Sequence, residues 1–418
     1  MNSQTPTPWK KVLTVAAIGF LLRLWLIFGS GASHRPELFE YDDIARNLLA
    51  GQGYTCPHLG TLYRNFYGGV FYIWMTAFLY VLFPPGQIAV LVAQSFFSSL
   101  LGIVTFLIGH HLWNRRAGLL AAFLTVSHPA LVYYDTHKLH PLSFDAFMTS
   151  LAVLMLLRVC QSRRTVASWL SGVVLGAAML QRGSLLLLFP LGLLWLWVFG
   201  IKDGQRLRRL IGCLVGVAVV MTPWIVRGYH YHGSFVLLTT SGEHLWVGNA
   251  PHSIGSNLLP SGRSVLETSP ETLLTSLRSK DELGQCRLFW NTSLTYIRNN
   301  PRAFLSKIAW KFCHFWTLAP TTGLLYPKAY LDIYLIYYAI IVFFAMLGAV
   351  RLARSREVSH AHALAGLLLV GVVFLSVSAI HSLFYIELRH RWGIESLLLI
   401  LSAVGLTEIL KTPSEILK

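Results

Sequence analysis

Several apolar stretches, among them Val12 to Phe28, Ile88 to Ile108 and Ala329 to Val350, are long enough to cross a bilayer unaided. About 20 helical residues cover the ~30 Å of hydrocarbon, where a backbone must satisfy its own polar groups, so these stretches dictate helices. Charge is correspondingly scarce: 54% of the 418 residues are hydrophobic and 12% charged, with a mean hydropathy of +0.56. The chain reads as an all-α polytopic membrane protein.

Its formal charge of +16 does not mark a nucleic-acid binder. Lys and Arg fall in short clusters between apolar runs, as the positive-inside rule requires of cytoplasmic loops, and no contiguous basic domain gathers them. The clusters are Lys10-Lys11, Arg115-Arg116, Arg163-Arg164, Lys202 to Arg209, Arg351 to Arg356 and Lys411 to Lys418. Placing all six on one side predicts ten transmembrane helices with both termini cytoplasmic. They lie near residues 11–29, 88–109, 117–134, 141–159, 165–180, 184–200, 210–227, 329–350, 360–381 and 392–410.

Two further runs are read as interfacial helices. Val70 to Phe83 is short, follows Gly68-Gly69 and is rich in Tyr and Trp; Pro301 to Trp316 mixes Lys307, Lys311 and His314 with Phe304, Ile308 and Trp310, an amphipathic pattern. The start mimics a signal peptide up to Gly31-Ala32-Ser33, but Arg23 interrupts the run and more spans follow, so it is read as a retained helix. The resulting organisation is a transmembrane module over 1–227 with an outer loop at 30–87, a long outer segment at 228–328, and further transmembrane helices over 329–418. Loops this long in a compact protein are usually functional.

Five cysteines show no CxxC spacing, which points to neither zinc nor a redox motif, although Cys56 and Cys286 could pair outside. The sequon at Asn291 is too short a pattern to carry weight.

Polar residues crowd the outer helix ends. Glu37, Glu40, Asp42 and Asp43 stand in the first loop, followed by Asp135, His137, Lys138 and His140, then Gln181-Arg182, Arg227, His230 and His232, and finally Glu387, Arg389, His390 and Arg391. Charge at a membrane boundary is costly unless paired or useful, so one outer cavity lined by both signs is expected. Glu40 to Tyr54 reads as a helix with an acidic start, and a carboxylate there could serve as a general base. Lys138, Arg182, Arg227, Arg389 and Arg391 come from separate segments on one side, as a phosphate or pyrophosphate site requires. The histidines at 137, 140, 230 and 232 are spaced too loosely to indicate a metal site, and no cofactor is implied.

Four segments carry a family resemblance: Glu40 to Tyr54; Leu175 to Pro190 with Gln181-Arg182-Gly183; Pro223 to Tyr229 onward to Leu245 through Asn249; and Tyr296 to Pro301. Across most of its length the chain resembles the bacterial GT-C glycosyltransferases related to protein O-mannosyltransferases and the lipid A aminoarabinose transferase. The resemblance implies a GT-C-like fold in the bacterial inner membrane with an extracytoplasmic active site. The implied reaction is inverting transfer of a sugar from a polyprenyl-phosphate carrier to the hydroxyl of a lipid, glycan or protein acceptor.

On that reading one of Glu40, Glu37 and Asp43 is the base, with Glu40 preferred; Arg227, Arg389 and Arg391 hold the carrier phosphate, aided by Lys138 and Arg182. Substrate contacts fall to Asp42, His137, His230, Glu243 and Asn249. Gly233 to Glu243 resembles a strand-like part of the loop covering the site. Relatives commonly carry a Pro-Pro-x-Tyr element where this chain has Tyr67 to Tyr72, so acceptor access is expected to differ. The extra C-terminal outer domain of some members is not expected. A transporter or flippase of a lipidic or charged solute would use similar charges, as would a glycan polymerase or ligase with a pyrophosphate carrier. The hydropathy lacks the internal repeat of many transporters.

Overall fold

The computed structural model describes residues 8–31, 35–65, 68–162, 164–200, 204–317, 326–354 and 360–410. Ala32, Ser33, Tyr67, Arg163, Lys202, Arg356 and the cluster at Lys411 to Lys418 lie outside them.

The chain opens with α1 (Trp9–Gly29) and α2 (Glu40–Leu49), then a hairpin of β1 (Cys56–His58) and β2 (Thr61–Tyr63), then α3 (Val70–Leu82) and α4 (Gln87–Leu112). The next span is broken into α5 (Arg115–Val126) and α6 (Pro129–His137), with a 43° bend between them. Pro129 explains the break, because it lacks the amide hydrogen the preceding turn would use and disfavours helix at the residue before it. His128 caps α6 by accepting from the Leu131 amide at 3.3 Å.

After these come α7 (Leu142–Gln161), α8 (Thr165–Gln181) and a 3₁₀ turn at Gly183–Leu185, which leads into α9 (Leu188–Trp195) and a π turn at Leu196–Gly200. Then follow α10 (Arg206–His232), α11 (Ser241–Asn249), α12 (Glu271–Arg278), α13 (Glu282–Asn299) and α14 (Pro301–Trp316). The chain closes with α15 (Lys328–Arg354), α16 (His360–Leu383) and α17 (Leu388–Ile409).

Helix occupies all ten stretches expected to span. Seven of the described helices are long and apolar enough to cross alone, and the bent α5–α6 pair makes eight; α8 and the Gly183–Phe199 stretch are apolar but shorter. At 13 residues α3 measures only about 20 Å, less than the hydrocarbon thickness. It buries Tyr72, Ile73 and Thr76 while exposing Trp74, Phe78 and Val81.

Small residues let helices cross closely where no hydrophobic effect drives them together. Gly172 and Gly176 of α8 face Gly212 and Gly216 of α10; a Cβ on Gly172 would lie 2.0 Å from the Cys213 carbonyl oxygen, and one on Gly216 2.3 Å from that of Trp169. At the centre stands α17, buried on every side from Arg391 to Gly405.

The described parts of 30–87 and 228–328 fold onto each other. Glu282, at the start of α13, accepts from the Arg64 and Asn65 amides at 2.7 and 2.8 Å, and from the Thr239 hydroxyl. Two expectations, the strand-like stretch and the cysteine pairing, are corrected here, and one element is added. The stretch after Gly233 is irregular backbone followed by helix α11, because Thr239 and Leu237 spend their polar groups on Asn65 and Trp224 instead of on a strand partner. The hairpin at 56–63 was not anticipated: its turn uses Leu59-Gly60, both at positive φ, where Asn-Gly is the usual signal. Cys56 and Cys286 are both buried free thiols.

Candidate functional site

The polar residues at these helix ends separate into those that hold the fold and those that gather around Arg389. Asp42 belongs to the first group: buried in α2, it accepts from Arg46 at 2.7 Å and from the Tyr80 hydroxyl. Arg227 donates to the carbonyls of Arg64 (2.9 Å) and Tyr54 (3.2 Å) and to Asn65 Oδ1 (2.9 Å), and its guanidinium lies over Trp224, Tyr54 and Tyr231. It latches the first loop to the end of α10. Arg391 is fully buried; it pairs with Glu395 at 2.7 Å, donates to the Phe315 and Thr317 carbonyls and sits 3.8 Å from the Tyr338 ring centre.

Three more expected substrate contacts are similarly engaged. Glu243 pairs with His58 at 2.7 Å, tying α11 to the hairpin. Asn249 donates to the Leu245 and Leu383 carbonyls and accepts from Lys311. His137 stacks on Tyr133 and bonds the Thr136 hydroxyl, while His230 is exposed on α10. The basic face of α14 also turns inward, with Lys307 donating to the Ala250 and Ser253 carbonyls.

The second group meets where α2, α6, α7, α8, α11 and α17 converge, and Arg389 is its electrostatic centre. Its guanidinium pairs with Glu387 at 2.6 Å, and its charge acts on Tyr41, His140, Arg182, His244 and Tyr385. Burial raises the Glu387 carboxyl, and Arg389 opposes that rise. Arg182 donates to Ser184 Oγ at 3.0 Å and to the His390 carbonyl at 2.6 Å, with Asp145 3.9 Å away. Gly393 makes room for it, since a Cβ there would lie 1.8 Å from the guanidinium. Lys138 closes a 2.8 Å pair with Glu37 and stands within 6 Å of four aromatic ring centres.

Among these carboxylates Glu40 differs. It begins α2, is half-buried, and has no hydrogen-bond or ion-pair partner among the described residues; its charge acts on Tyr41 and Glu387. Asp43 lies on the exposed face of α2.

The structure adds Asp145, His244 and His381, which the sequence reading did not single out, and brings Gln181, His140 and His390 to them. Asp145, in the first turn of α7, accepts from Gln181 at 2.8 Å, and Gln181 in turn accepts from the Tyr72 and Gly69 amides. His140 rather than His137 faces the group: it is edge-on to Phe39, Tyr41 and Tyr134, with Nδ1 unpartnered. Burial, then the charges of Arg389, Lys138 and Arg182, push it well below the ordinary histidine range. Burial also lowers His244, which packs against Tyr385. His381 and His390 stack with ring centres 3.9 Å apart. No cluster of three His, Cys, Asp or Glu suited to a metal occurs among the described residues.

The arrangement resembles known proteins. Residues 69–227 match the family described as dolichyl-phosphate-mannose-protein mannosyltransferase. The oligosaccharyltransferase of Archaeoglobus fulgidus in its apo form superposes with a TM-score of 0.56 at 14% identity, over 95% of this chain and 50% of that one. This chain has the GT-C fold. The archaeal enzyme AglB from the same organism, in complex with an inhibitory peptide and a dolichol-phosphate, gives the same score and identity over 96% of this chain and 50% of that one. The chain thus spans about half the length of these GT-C oligosaccharyltransferases. ArnT from Cupriavidus metallidurans, bound to undecaprenyl phosphate, aligns at 17% identity and a TM-score of 0.45, over 97% of this chain and 79% of that one. No curated protein matches in sequence.

Proposed function

We propose that this GT-C protein is an inverting glycosyltransferase of the bacterial inner membrane. It would move a sugar from a polyprenyl-phosphate carrier to the hydroxyl of a lipid, glycan or protein acceptor on the extracytoplasmic side. One observation carries the reading: among the described residues Glu40 is a carboxylate without a partner, and the cations Arg389, Arg182 and Lys138, from three separate segments, gather around His140 nearby. The match of residues 69–227 to dolichyl-phosphate-mannose-dependent transferases and the dolichol-phosphate bound by AglB support a lipid-phosphate donor.

In this mechanism Glu40 takes the proton of the acceptor hydroxyl as its oxygen attacks the anomeric carbon from the face opposite the phosphate. The bond from that carbon to the phosphate oxygen breaks, and the electron pair leaves with the polyprenyl phosphate. A phosphate monoester with a second pKa of ~6 needs no proton to depart, so the cations suffice to hold the charge it gains. Arg389 is the principal phosphate contact, with Arg182 and Lys138 beside it, and the tyrosine and histidine rings enclose the sugar. Arg227 and Arg391 keep the scaffold in place.

The test is transfer of radiolabelled sugar from a panel of polyprenyl-phosphate donors by purified protein. Glu40→Gln is expected to lower turnover by about 10²- to 10⁴-fold, the usual contribution of a general base, and Arg389→Ala to raise the donor KM. Full turnover by Glu40→Gln, or solute flux in liposomes without transfer, overturns the reading.

A further inference from the structure

Residues 389 and 391 are about 200° apart around a helix, so α17 turns Arg389 toward Glu387 and the polar cluster and Arg391 toward Glu395. On the Arg389 side, one turn on, lies Gly393, against which Arg182 packs. Both arginines placed at the phosphate therefore depend on the first two turns of α17: Arg389 by its position, and Arg182 through the His390 carbonyl and the Gly393 backbone.

The opposite face carries Arg391 and Glu395, and three other segments grip it. Glu395, 2% exposed, receives Arg391 at 2.7 Å, the Tyr334 hydroxyl of α15 at 2.5 Å and His128, at the break between α5 and α6, at 2.7 Å. Arg391 continues the chain to the Phe315 and Thr317 carbonyls at the end of α14 and to the Tyr334 hydroxyl. A buried carboxylate is costly unless its lone pairs are filled. Here three donors fill them, each from a different element, which fixes the roll of α17 about its axis.

We propose that Glu395 is a positioning residue for the donor phosphate. By gathering His128, Tyr334 and Arg391 it sets the angle at which α17 presents Arg389 and receives Arg182. The inference rests on the phosphate role assigned to Arg389 above.

The measurement is the Kd of undecaprenyl phosphate for detergent-purified protein, read by tryptophan fluorescence, alongside donor KM and kcat. Glu395→Gln keeps the side-chain shape but removes the charge; the expected result is a roughly tenfold rise in Kd and KM, with kcat at saturating donor within twofold. Tyr334→Phe, which removes a single donor, is expected to raise Kd two- to threefold and serves if Glu395→Gln does not fold. A purely structural role would lower the yield of folded protein and leave Kd of the folded fraction unchanged, and that result in either variant overturns the inference. Arg389→Ala is the control: unchanged Kd there overturns the phosphate reading itself, whereas weakened binding there with normal binding in Glu395→Gln overturns only the positioning role.

Discussion

Glu37 and Lys138 are joined twice, by a 2.8 Å ion pair and by backbone bonds in which the Glu37 amide donates to the His137 carbonyl and its own carbonyl accepts from Leu139. Glu37 therefore pins the first loop to the α6–α7 junction, which leaves Glu40 as the proposed base. Glu37→Gln should keep turnover within about threefold of wild type. It should cost under about 1 kcal/mol of stability, since the Glu37 side chain is half exposed and pairs of this kind are worth little. A turnover loss in Glu37→Gln as large as that in Glu40→Gln would reassign the base.

Inside the bundle the balance reverses. Arg23 and Asp135 are 2.7 Å apart and almost wholly buried, and Arg23 also donates to the Gly19 and Val126 carbonyls and to Ser98. Removing one partner strands a buried charge, which typically costs ~3–5 kcal/mol, whereas replacing both with apolar residues is often neutral. Asp135→Leu should lower the melting temperature in detergent sharply, and Arg23→Leu/Asp135→Leu should recover most of it. Additive losses in the double variant would show that the pair does not act as a unit.

The span positions were legible because length and apolarity suffice to demand a helix in lipid. Lys138, Arg182, Arg389 and Glu40 were legible as polar residues at outer helix ends. Which face each side chain takes was not: Arg389 and Arg391 look equivalent in sequence, and only the packing of α17 sends one to Glu387 and the other to Glu395. Asp145 carried a readable signal, a carboxylate inside a stretch long enough to span, which is itself a mark of function. His244 carried none, because α11 owes its place to Thr239, Asn65 and Glu282, contacts between distant segments.

His140 and His244 set a pH dependence. Burial comes first in lowering both, and in His140 three neighbouring cations add to it. A histidine below its ordinary value of about 6.5 binds fewer protons folded than unfolded, so the stability it contributes is present above that pH and lost as pH falls toward the folded value. The melting temperature should hold above about pH 7.5 and drop below about 6.5. The combined variant His140→Gln/His244→Gln should show a shallower drop; an unchanged slope would place the titrating groups elsewhere.

Lys311 offers a last test, of how the outer segment is held to the helices. Its ammonium, 0% exposed, donates among the Phe384 carbonyl at 2.7 Å, Asn249 Oδ1 at 2.9 Å, and the Gly248 and Leu383 carbonyls at 3.3 and 3.4 Å. These acceptors are the ends of α11 and α16, which approach so closely that a Cβ on Gly248 would lie 1.6 Å from the Phe384 oxygen. No backbone donor can reach between two helix C-termini, whose last carbonyls are unpaired by geometry, so one lysine from α14 serves both. Lys311→Met keeps the length and apolar stem of the side chain but removes the lysine donor from the Gly248 and Phe384 carbonyls, while Leu383 keeps Asn249, at about 1–3 kcal/mol for each acceptor that water does not reach. The variant should melt well below wild type and expose the 250–264 stretch to proteolysis, with Arg389-dependent carrier binding intact in the protein that remains folded. Melting and digestion like the wild type would mean that the packing of α11 on α16, and not the ammonium, holds the outer segment down.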